Sequence, residues 1–305
     1  MDQAETPHTT DGAATAAIAR PWLAHYSPGV EASIAIPDRP LTALLDNAVA
    51  NYGANVAIEY YGRRIRYAEL GTLVQRFARG LRALGVRPGD RVALCLPNLP
   101  QYVIAFYGVL KAGAVVVPTN PLYTQPELEH QLHDSGATAM ILLDQFYANL
   151  DAVRARTAVA TVVLTSPADY LPLPLALGYR LREARERRGR PYIDRATRRA
   201  DASLHDFTAL VRRDQASTPD SETDNDLPLA EADDLAVLQY TGGTTGVAKG
   251  AMLTHHNLLA NAHQCWSWNE QPLGSEHSTL CVVPFFHSYG LTVAMNLTVL
   301  NGSTL

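Results

Sequence analysis

Apolar runs of strand length alternate with segments of helical periodicity from Leu41 onward, and this alternation constrains the fold of the chain more than any other feature. Residues 91–96 and 138–143 have the length and the apolar composition of buried strands. Residues 68–84, in contrast, repeat apolar side chains at helical spacing. Since parallel strands are joined by helical crossovers, the alternation predicts a layered α/β fold with a parallel sheet.

Capping residues and turn residues set the limits of the other predicted elements. Helices are predicted at residues 41–52, 68–84, 101–112, 126–135 and from 255 to about 266. A hairpin of two strands, residues 55–61 and 64–67, is predicted around Gly62 and Arg63. Further strands are predicted at residues 91–96, 114–118, 138–143, 161–165, 235–240 and 251–253.

The composition argues against several classes of protein. The chain has 305 residues, of which 47% are hydrophobic, and its net charge of −5 does not favour nucleic-acid binding. Three cysteines lie far apart and form no CxxC pair, so neither a disulfide framework nor a zinc site is predicted. Residues 1–40 are predicted to be a disordered or loosely packed tail without the features of a signal peptide, and a cytoplasmic location fits.

Residues 280–300 contain no Asp, Glu, Lys or Arg and are long enough to span a bilayer. The segment nevertheless includes Pro284, His287 and Asn296. We therefore interpret it as a buried strand, a loop and the start of a helix.

An apolar segment, residues 171–179, runs directly into an arginine cluster that ends at Arg190. Two interpretations of residues 171–190 are open. Apolar side chains beside dense positive charge suit peripheral contact with an anionic membrane, here at its cytoplasmic face. Alternatively, the segment is a solvated insertion whose leucines pack on the domain. Residues 214–234 then carry eight acidic residues and no base, so residues 171–234 are treated as an insertion with an acidic linker.

The segment after the predicted strand 235–240 is rich in glycine and threonine and ends in one of the two lysines of the chain. Glycines allow a backbone to approach a ligand closely, and consecutive backbone N–H groups form a nest for anions. Hydroxyl groups and a lysine add donors and positive charge, so the segment suits a triphosphate. Its candidate ligand-binding residues are Thr241, Gly242, Gly243, Thr244, Thr245, Gly246 and Lys249.

The spacing differs from that of the P-loop of kinases and ATPases. That motif requires a Gly-Lys pair five residues after its first glycine. Here the fifth residue after Gly242 is Val247, and the fifth after Gly243 is Ala248. A P-loop kinase is therefore disfavoured.

Residues 240–250, Tyr-Thr-Gly-Gly-Thr-Thr-Gly-Val-Ala-Lys-Gly, resemble the phosphate-loop signature of the adenylate-forming superfamily. Residues 251–257 are similar to the acyl-CoA synthetases of that group, and residues 283–290 resemble its Pro-x-x-His segment. The resemblance runs from about Leu41 to the end of the chain. It implies the layered parallel-sheet N-terminal domain of the adenylate-forming enzymes, incomplete at its C-terminus, over residues 41–305.

The resemblance also implies a chemistry. Such enzymes join a carboxylic acid to ATP with Mg²⁺, release pyrophosphate, and transfer the acyl group from acyl-AMP to coenzyme A. Thr241 to Lys249 would hold the β- and γ-phosphates, with Thr241 near the Mg²⁺ and Lys249 neutralising the leaving pyrophosphate. His287 would lie near the acid carboxylate, and Phe285, Phe286 and Tyr289 would line the acyl channel. The apolar and basic insertion favours a medium- or long-chain fatty acid.

Several parts of the family pattern are not found in this sequence: the Tyr-Gly-x-Thr-Glu segment, the ribose-binding Asp, and the small C-terminal domain with its lysine. The expectation is that the chain alone adenylates poorly or not at all. Two alternatives are kept. One is an aryl-CoA ligase or a carrier-protein adenylating enzyme, and the other is a non-catalytic nucleotide-binding or membrane-associated fragment.

Four other residues are assigned no chemistry. His255, His256 and His263 share the predicted helix, but no acid completes a zinc motif, so they are predicted to be structural or capping residues. Lys111 lies at a predicted helix C-terminus, where a cation is favoured.

Overall fold

Helices and strands alternate through most of the described chain, as the sequence predicts. The computed structural model describes residues 20–188, 192–212, 227–241, 247–268 and 275–305. Its strands are β1 (Val56–Tyr60), β2 (Arg63–Arg66), β3 (Arg91–Cys95), β4 (Val115–Pro118), β5 (Ala139–Leu143), β6 (Thr161–Thr165), β7 (Leu204–Asp206), β8 (Leu235–Thr241) and β9 (Lys249–Thr254). Its α-helices are α1 (Ala43–Tyr52), α2 (Tyr67–Ala83), α3 (Pro100–Lys111), α4 (Gln125–Ser135), α5 (Tyr147–Arg154), α6 (Leu173–Glu186), α7 (Arg195–Ala200), α8 (Phe207–Arg212), α9 (His255–Ser267) and α10 (Leu297–Leu300).

The larger sheet of the described residues has seven strands in the order β7-β6-β5-β3-β4-β8-β9. All neighbours from β7 to β8 pair in parallel, whereas β9 pairs with β8 in the antiparallel sense. A short connection cannot make a parallel crossover, and only residues 242–248 separate β8 from β9. The predicted α/β architecture is thus confirmed, with one antiparallel edge strand that the parallel-sheet prediction did not include.

Alternating strand residues build a hydrophobic layer on each face of this sheet. Val92 and Leu94 of β3 belong to one layer, which also contains residues of α1, α2, α3 and α9. Ala93 and Cys95 of the same strand belong to the other layer, which contains residues of α4 and α5. Helix α3 is buried along nearly its whole length, so it occupies the centre of the first layer.

The predicted hairpin is confirmed as the two-stranded sheet β1-β2. Its turn residues are Tyr61 and Gly62, both with positive φ, one position earlier along the chain than the sequence suggested. Positive φ at both positions matches the type I′ turn that suits a two-residue hairpin loop. The backbone of Leu305 bonds to Ala57 and Glu59 of β1, at 2.8 and 2.9 Å.

The predicted buried strand near residue 280 is wrong. Leu280 and Val282 are 87% and 74% exposed, and no strand lies there in the described chain. Side-chain bonds from Asn98, rather than a strand ladder, hold this backbone at Cys281 and Val283. The rest of the segment forms a π-helix at Gly290–Asn296 followed by α10. None of the helices in the described ranges is long and apolar enough to cross a membrane.

The insertion contains helix α6, which the sequence analysis did not assign. Of its residues only Ala176 is buried, while Leu173, Leu175, Leu177 and Leu181 are 47–73% exposed. The interpretation that these leucines pack on the domain is therefore wrong. Most of the acidic run, residues 214–226, and the first residues of the predicted tail, 1–19, lie outside the described residues.

Candidate active site

The hairpin β8-β9 places the two ends of the glycine- and threonine-rich loop side by side. Thr241 ends β8 and is paired directly with Lys249, the first residue of β9. Directly opposed residues of antiparallel strands project from the same face, and both side chains are exposed. Five of the predicted phosphate-binding residues lie outside the described residues: Gly242, Gly243, Thr244, Thr245 and Gly246.

This connection also distinguishes the loop from a P-loop. A P-loop joins a strand to the N-terminus of a helix, whereas this loop joins two antiparallel strands. The sequence-based argument against a P-loop kinase, made from the spacing of Lys249, is therefore supported by the topology.

Helix α4 contacts the chain on both sides of the loop. The Tyr240 hydroxyl donates to Oδ2 of Asp134 at 2.6 Å, and Nε2 of His130 lies 3.0 Å from the Ala248 carbonyl oxygen. A carbonyl can only accept, so this contact requires the proton on His130 Nε2. One helix therefore holds the chain close to both ends of the loop, at Tyr240 in β8 and at Ala248 just before β9.

Gln239 links the hairpin to the predicted acid-binding segment. Its Nε2 donates to the Phe286 carbonyl oxygen at 3.1 Å. Gln239 and Thr241 are two residues apart on β8, so their side chains share one face of the strand. The backbone at Phe286, directly before His287, therefore contacts the face of β8 from which Thr241 projects.

Asn98, in the loop after β3, holds the backbone in front of His287. Its Nδ2 donates to the carbonyl oxygens of Cys281 and Val283 at 2.8 and 2.9 Å, and its Oδ1 accepts from the Phe285 amide at 2.8 Å. The buried hydroxyl of Tyr102 donates to the Phe285 carbonyl at 3.1 Å. Four hydrogen bonds from one region of α3 and its preceding loop thus position the Pro-x-x-His segment.

The side chain of His287 is exposed, and its backbone forms a tight turn. The His287 amide donates to the Pro284 carbonyl at 3.0 Å, and Nδ1 accepts from the Tyr289 amide at 3.3 Å. With Nδ1 used as an acceptor, the neutral imidazole carries its proton on Nε2. A Cβ at Gly290 would overlap the Pro284 carbonyl, so this turn requires glycine there.

A cavity of about 520 Å³ lies beyond His287, between α9 and the π-helix. A π-helical segment at such a position is frequent at functional sites. Tyr289 lines the cavity and is 57% exposed, whereas Phe286 is half-buried and does not line it. Aliphatic and polar residues both line it: Leu253, Leu258, Leu291 and Val293 on the one hand, and Asn257, Asn261, Ser288 and Thr292 on the other.

Thr241 is the one predicted metal-binding residue. The described residues contain no group of three or more His, Cys, Asp or Glu side chains that could hold a metal ion. Mg²⁺ that accompanies a nucleotide takes most of its ligands from water and phosphate, with one or two oxygens from the protein. The exposed Thr241 hydroxyl fits that limited role.

The structure confirms a structural role for His255 and the position of Lys111 at a helix C-terminus. His255 is buried, its Nδ1 accepts from the Leu41 amide at 3.2 Å, and burial lowers its pKa to about 4. Burial also lowers the pKa of His263. Lys111 ends α3 and forms an ion pair with Asp46 at 2.6 Å.

Sequence reasoning missed the residues that connect the site: Asn98, Gln239, His130 and Asp134. Two of them carried a signal. Asn98 follows the carboxyl end of β3, where side chains of parallel sheets gather at sites, and Gln239 is a polar residue inside an apolar strand. The residues of α4 carried none, because a polar residue on a surface helix is ordinary.

The sheet order defines a layered α/β domain in which Thr241, the first residue of the predicted phosphate-binding segment, lies at the carboxyl end of a parallel strand. The chain belongs to the AMP-binding enzyme family, whose model matches residues 45–305.

Known proteins similar to this chain agree with that assignment. A long-chain-fatty-acid–CoA ligase of Bacillus subtilis is 37% identical over 283 residues, which cover 92% of this chain and 48% of the relative. The crystal structure of a long-chain-fatty-acid-CoA ligase from Archaeoglobus fulgidus superposes with a TM-score of 0.67 at 26% identity, covering 92% of this chain and 48% of that one. ATP-bound MatB from Rhodopseudomonas palustris gives a TM-score of 0.64 at 26% identity, over 88% and 44% of the two chains. The chain therefore spans about half the length of the relatives that it matches.

Proposed function

We propose that the chain forms the part of an acid–CoA ligase that binds ATP and the carboxylic acid. The complete reaction joins the acid to AMP, releases pyrophosphate, and passes the acyl group to coenzyme A. The observation that carries the proposal is the arrangement of the hairpin: Thr241 and Lys249 lie opposite one another, and Gln239 ties the same face to the backbone before His287.

Each residue has a role in the first step. A carboxylate oxygen attacks the α-phosphorus, and the bond from that phosphorus to the pyrophosphate oxygen breaks. In the proposal, the charge of Lys249 neutralises the departing phosphates, and the loop from Thr241 holds them through backbone and hydroxyl donors. Mg²⁺, when bound, supplies further charge neutralisation on the phosphates. His287 positions the carboxylate by donating from Nε2.

The acid is proposed to be a fatty acid of medium or long chain. The cavity beyond His287 has an apolar wall that includes Leu258 and Leu291, which suits an alkyl chain better than a charged or polar acid. The Bacillus subtilis relative is a long-chain-fatty-acid–CoA ligase by name. We place the activity in the cytoplasm.

Binding of Mg·ATP to the 305-residue chain tests the nucleotide half of the proposal. The matched pair of variants is Lys249→Ala and Lys111→Ala, because these are the two lysines of the chain. Titration calorimetry should show binding that weakens about tenfold or more in Lys249→Ala, since a point charge on the phosphates is lost, and stays unchanged in Lys111→Ala. Equal affinity in all three proteins would contradict the role of Lys249.

Acid-dependent exchange of pyrophosphate into ATP tests the chemical half. Exchange is measured with palmitate, decanoate, ferulate and benzoate on this chain and, where its gene encodes a longer protein, on that protein as well. Fatty acids should support more exchange than aryl acids, and Lys249→Ala should abolish it. A preference for ferulate or benzoate would favour the aryl-CoA alternative, whereas nucleotide binding with no exchange would favour a non-catalytic role.

A further inference from the structure

Helix α6 exposes a stripe of apolar side chains along its length. Leu173, Leu177 and Leu181 are 73%, 60% and 55% exposed. They are spaced four residues apart, so they lie on one side of the helix, and we call these three residues the leucine stripe. Ala176, which is buried, and the half-buried Tyr179 and Glu183 form the side that packs on the domain.

Arginines flank the leucine stripe. Arg180 and Arg182 have side chains that are 63% and 78% exposed, and Arg185 and Arg188 are also exposed. Residues 171–188 contain five arginines and two glutamates, whereas the whole chain has a net charge of −5. Positive charge is therefore concentrated around exposed leucines in a protein that is otherwise acidic.

A cavity of about 430 Å³ opens at the N-terminal end of the leucine stripe. Leu173 and Leu177 line it, together with Arg63, Arg180 and Arg212 and one acidic residue, Asp169, which lies 3.9 Å from Arg180. Three arginines against one carboxylate leave the cavity with a positive balance, and guanidinium groups bind phosphate oxygens in a bidentate manner.

We propose that helix α6 binds the surface of a bilayer that contains anionic phospholipid. The leucine stripe enters the boundary between headgroups and acyl chains, and the flanking arginines contact lipid phosphates. A helix with one apolar side and an arginine-rich border is the kind that lies in the plane of a membrane interface. The charge around the stripe selects an anionic surface over a zwitterionic one.

The contact would put the domain at the place where a lipid-derived acid is available. The inference does not rest on the proposed ligase activity, because α6 and the β8-β9 hairpin are separate parts of the domain and vesicle binding is measured without ATP. Loss of pyrophosphate exchange and loss of vesicle binding are thus independent results.

Co-sedimentation of the 305-residue chain with vesicles tests the proposal. Vesicles of phosphatidylcholine alone are compared with vesicles that contain 30% phosphatidylglycerol, at 50 and 300 mM salt. Two pairs of double variants separate the apolar and the charged contributions. The apolar pair is Leu177→Ser with Leu181→Ser. Its control is Leu122→Ser with Leu229→Ser, at two leucines outside α6 that are 83% and 95% exposed. Arg182→Glu with Arg185→Glu is matched by Arg64→Glu with Arg87→Glu, at arginines exposed elsewhere.

The chain should bind the anionic vesicles at least tenfold more strongly than the neutral ones, and less strongly at high salt. Both α6 double variants should reduce binding about tenfold or more, and both matched controls should leave it unchanged, with circular dichroism showing each protein folded. Equal binding to both vesicles, no binding, or α6 variants that bind like the parent would overturn the proposal. A dimer in light scattering that the Leu177→Ser, Leu181→Ser variant dissociates would instead assign the stripe to a second copy of the chain.

Discussion

Asn98 shows how one polar side chain fixes a loop that has no strand partner. It satisfies two carbonyl groups and one amide of the backbone between Cys281 and Phe285. The loop reaches His287 two residues later, so the position of His287 depends on Asn98. Asn98 is therefore a positioning residue rather than one that contacts a substrate.

Replacing Asn98 with alanine should lower the free energy of unfolding by about 1–3 kcal/mol, because partly buried backbone groups lose their partners. Urea denaturation measures the change, and Asn51→Ala, at an exposed position of α1, serves as the control. In the pyrophosphate exchange assay the same variant should raise the KM for the acid more than the KM for ATP. A change in unfolding free energy no larger than that of Asn51→Ala would contradict this role.

His255 makes the stability of the domain depend on pH. Its pKa in the folded state is about 4, below the ordinary value of 6.5, because burial disfavours the charged imidazole. The unfolded chain therefore binds more protons than the folded chain between pH 6.5 and 4, and stability is lost as the pH falls through this window. The effect has an upper size on the order of 3 kcal/mol.

The variant His255→Asn should flatten the dependence of unfolding free energy on pH between 6.5 and 4, since its amide oxygen can still accept from the Leu41 amide but does not titrate there. The pH profile of the variant must be compared with that of the parent chain, because Asp144 changes the unfolding free energy with pH in the opposite direction. Burial and the nearby Glu183 raise the pKa of Asp144 to about 6, so its contribution favours folding as the pH falls toward 4. Parallel pH profiles for parent and variant would show that His255 is not responsible.

At the scale of elements, α2 and α3 approach each other closely at Gly108. A Cβ added there would lie 2.7 Å from Cδ1 of Phe77, a ring that is fully buried and cannot move aside freely. Gly178, on α6, is a glycine in the opposite situation, because an added Cβ would meet nothing within 4 Å.

Gly108→Ala should therefore lower the melting temperature, with a packing cost of about 1–3 kcal/mol that exceeds the gain in helix propensity. Gly178→Ala should leave it unchanged or raise it slightly, because alanine is favoured by up to about 1 kcal/mol in an exposed helix. Thermal unfolding followed by far-UV circular dichroism compares the two. Equal changes in melting temperature for both variants would mean that the α2–α3 contact at Phe77 does not exclude a methyl group at position 108.

At the scale of the whole molecule, the sheet connects the two hydrophobic layers. Leu94 on β3 lies in the layer of α3, and Met140 on the neighbouring β5 lies in the layer of α4 and α5. Both side chains are fully buried. Adjacent strands supply side chains to both layers. A cavity in either layer should therefore lower the stability of the whole sheet.

Leu94→Ala and Met140→Ala should each destabilise the chain by about 2–5 kcal/mol and shift one common unfolding transition. Denaturation is followed by circular dichroism and by tryptophan fluorescence, and the two signals should coincide in each variant. Exposed Leu122→Ala is the control. Two separated transitions in Met140→Ala alone would show that the layers unfold independently.

The alternation of strand and helix patterns determined the architecture without any tertiary information. Strands β3, β4, β5 and β6 were predictable because each is buried on both faces and reads as a continuous apolar run. The short elements after β6 were not predictable: α6 has little apolar periodicity toward the domain, and β7 has three residues.

The sequence by itself also predicts the chemical character of the site, because glycine, threonine and lysine at a fixed spacing are local properties of residues 241–249. Only the tertiary structure decided how the strand before that loop contacts the segment that contains His287, through Gln239 and Asn98, whose partners are 47 and more than 180 residues away in sequence. The same holds for the exposed side of α6, which became visible only once the domain had buried Ala176 and left the leucine stripe uncovered. Local patterns specify local geometry, whereas contacts between distant segments depend on how the whole sheet packs, and no short pattern in the sequence encodes them.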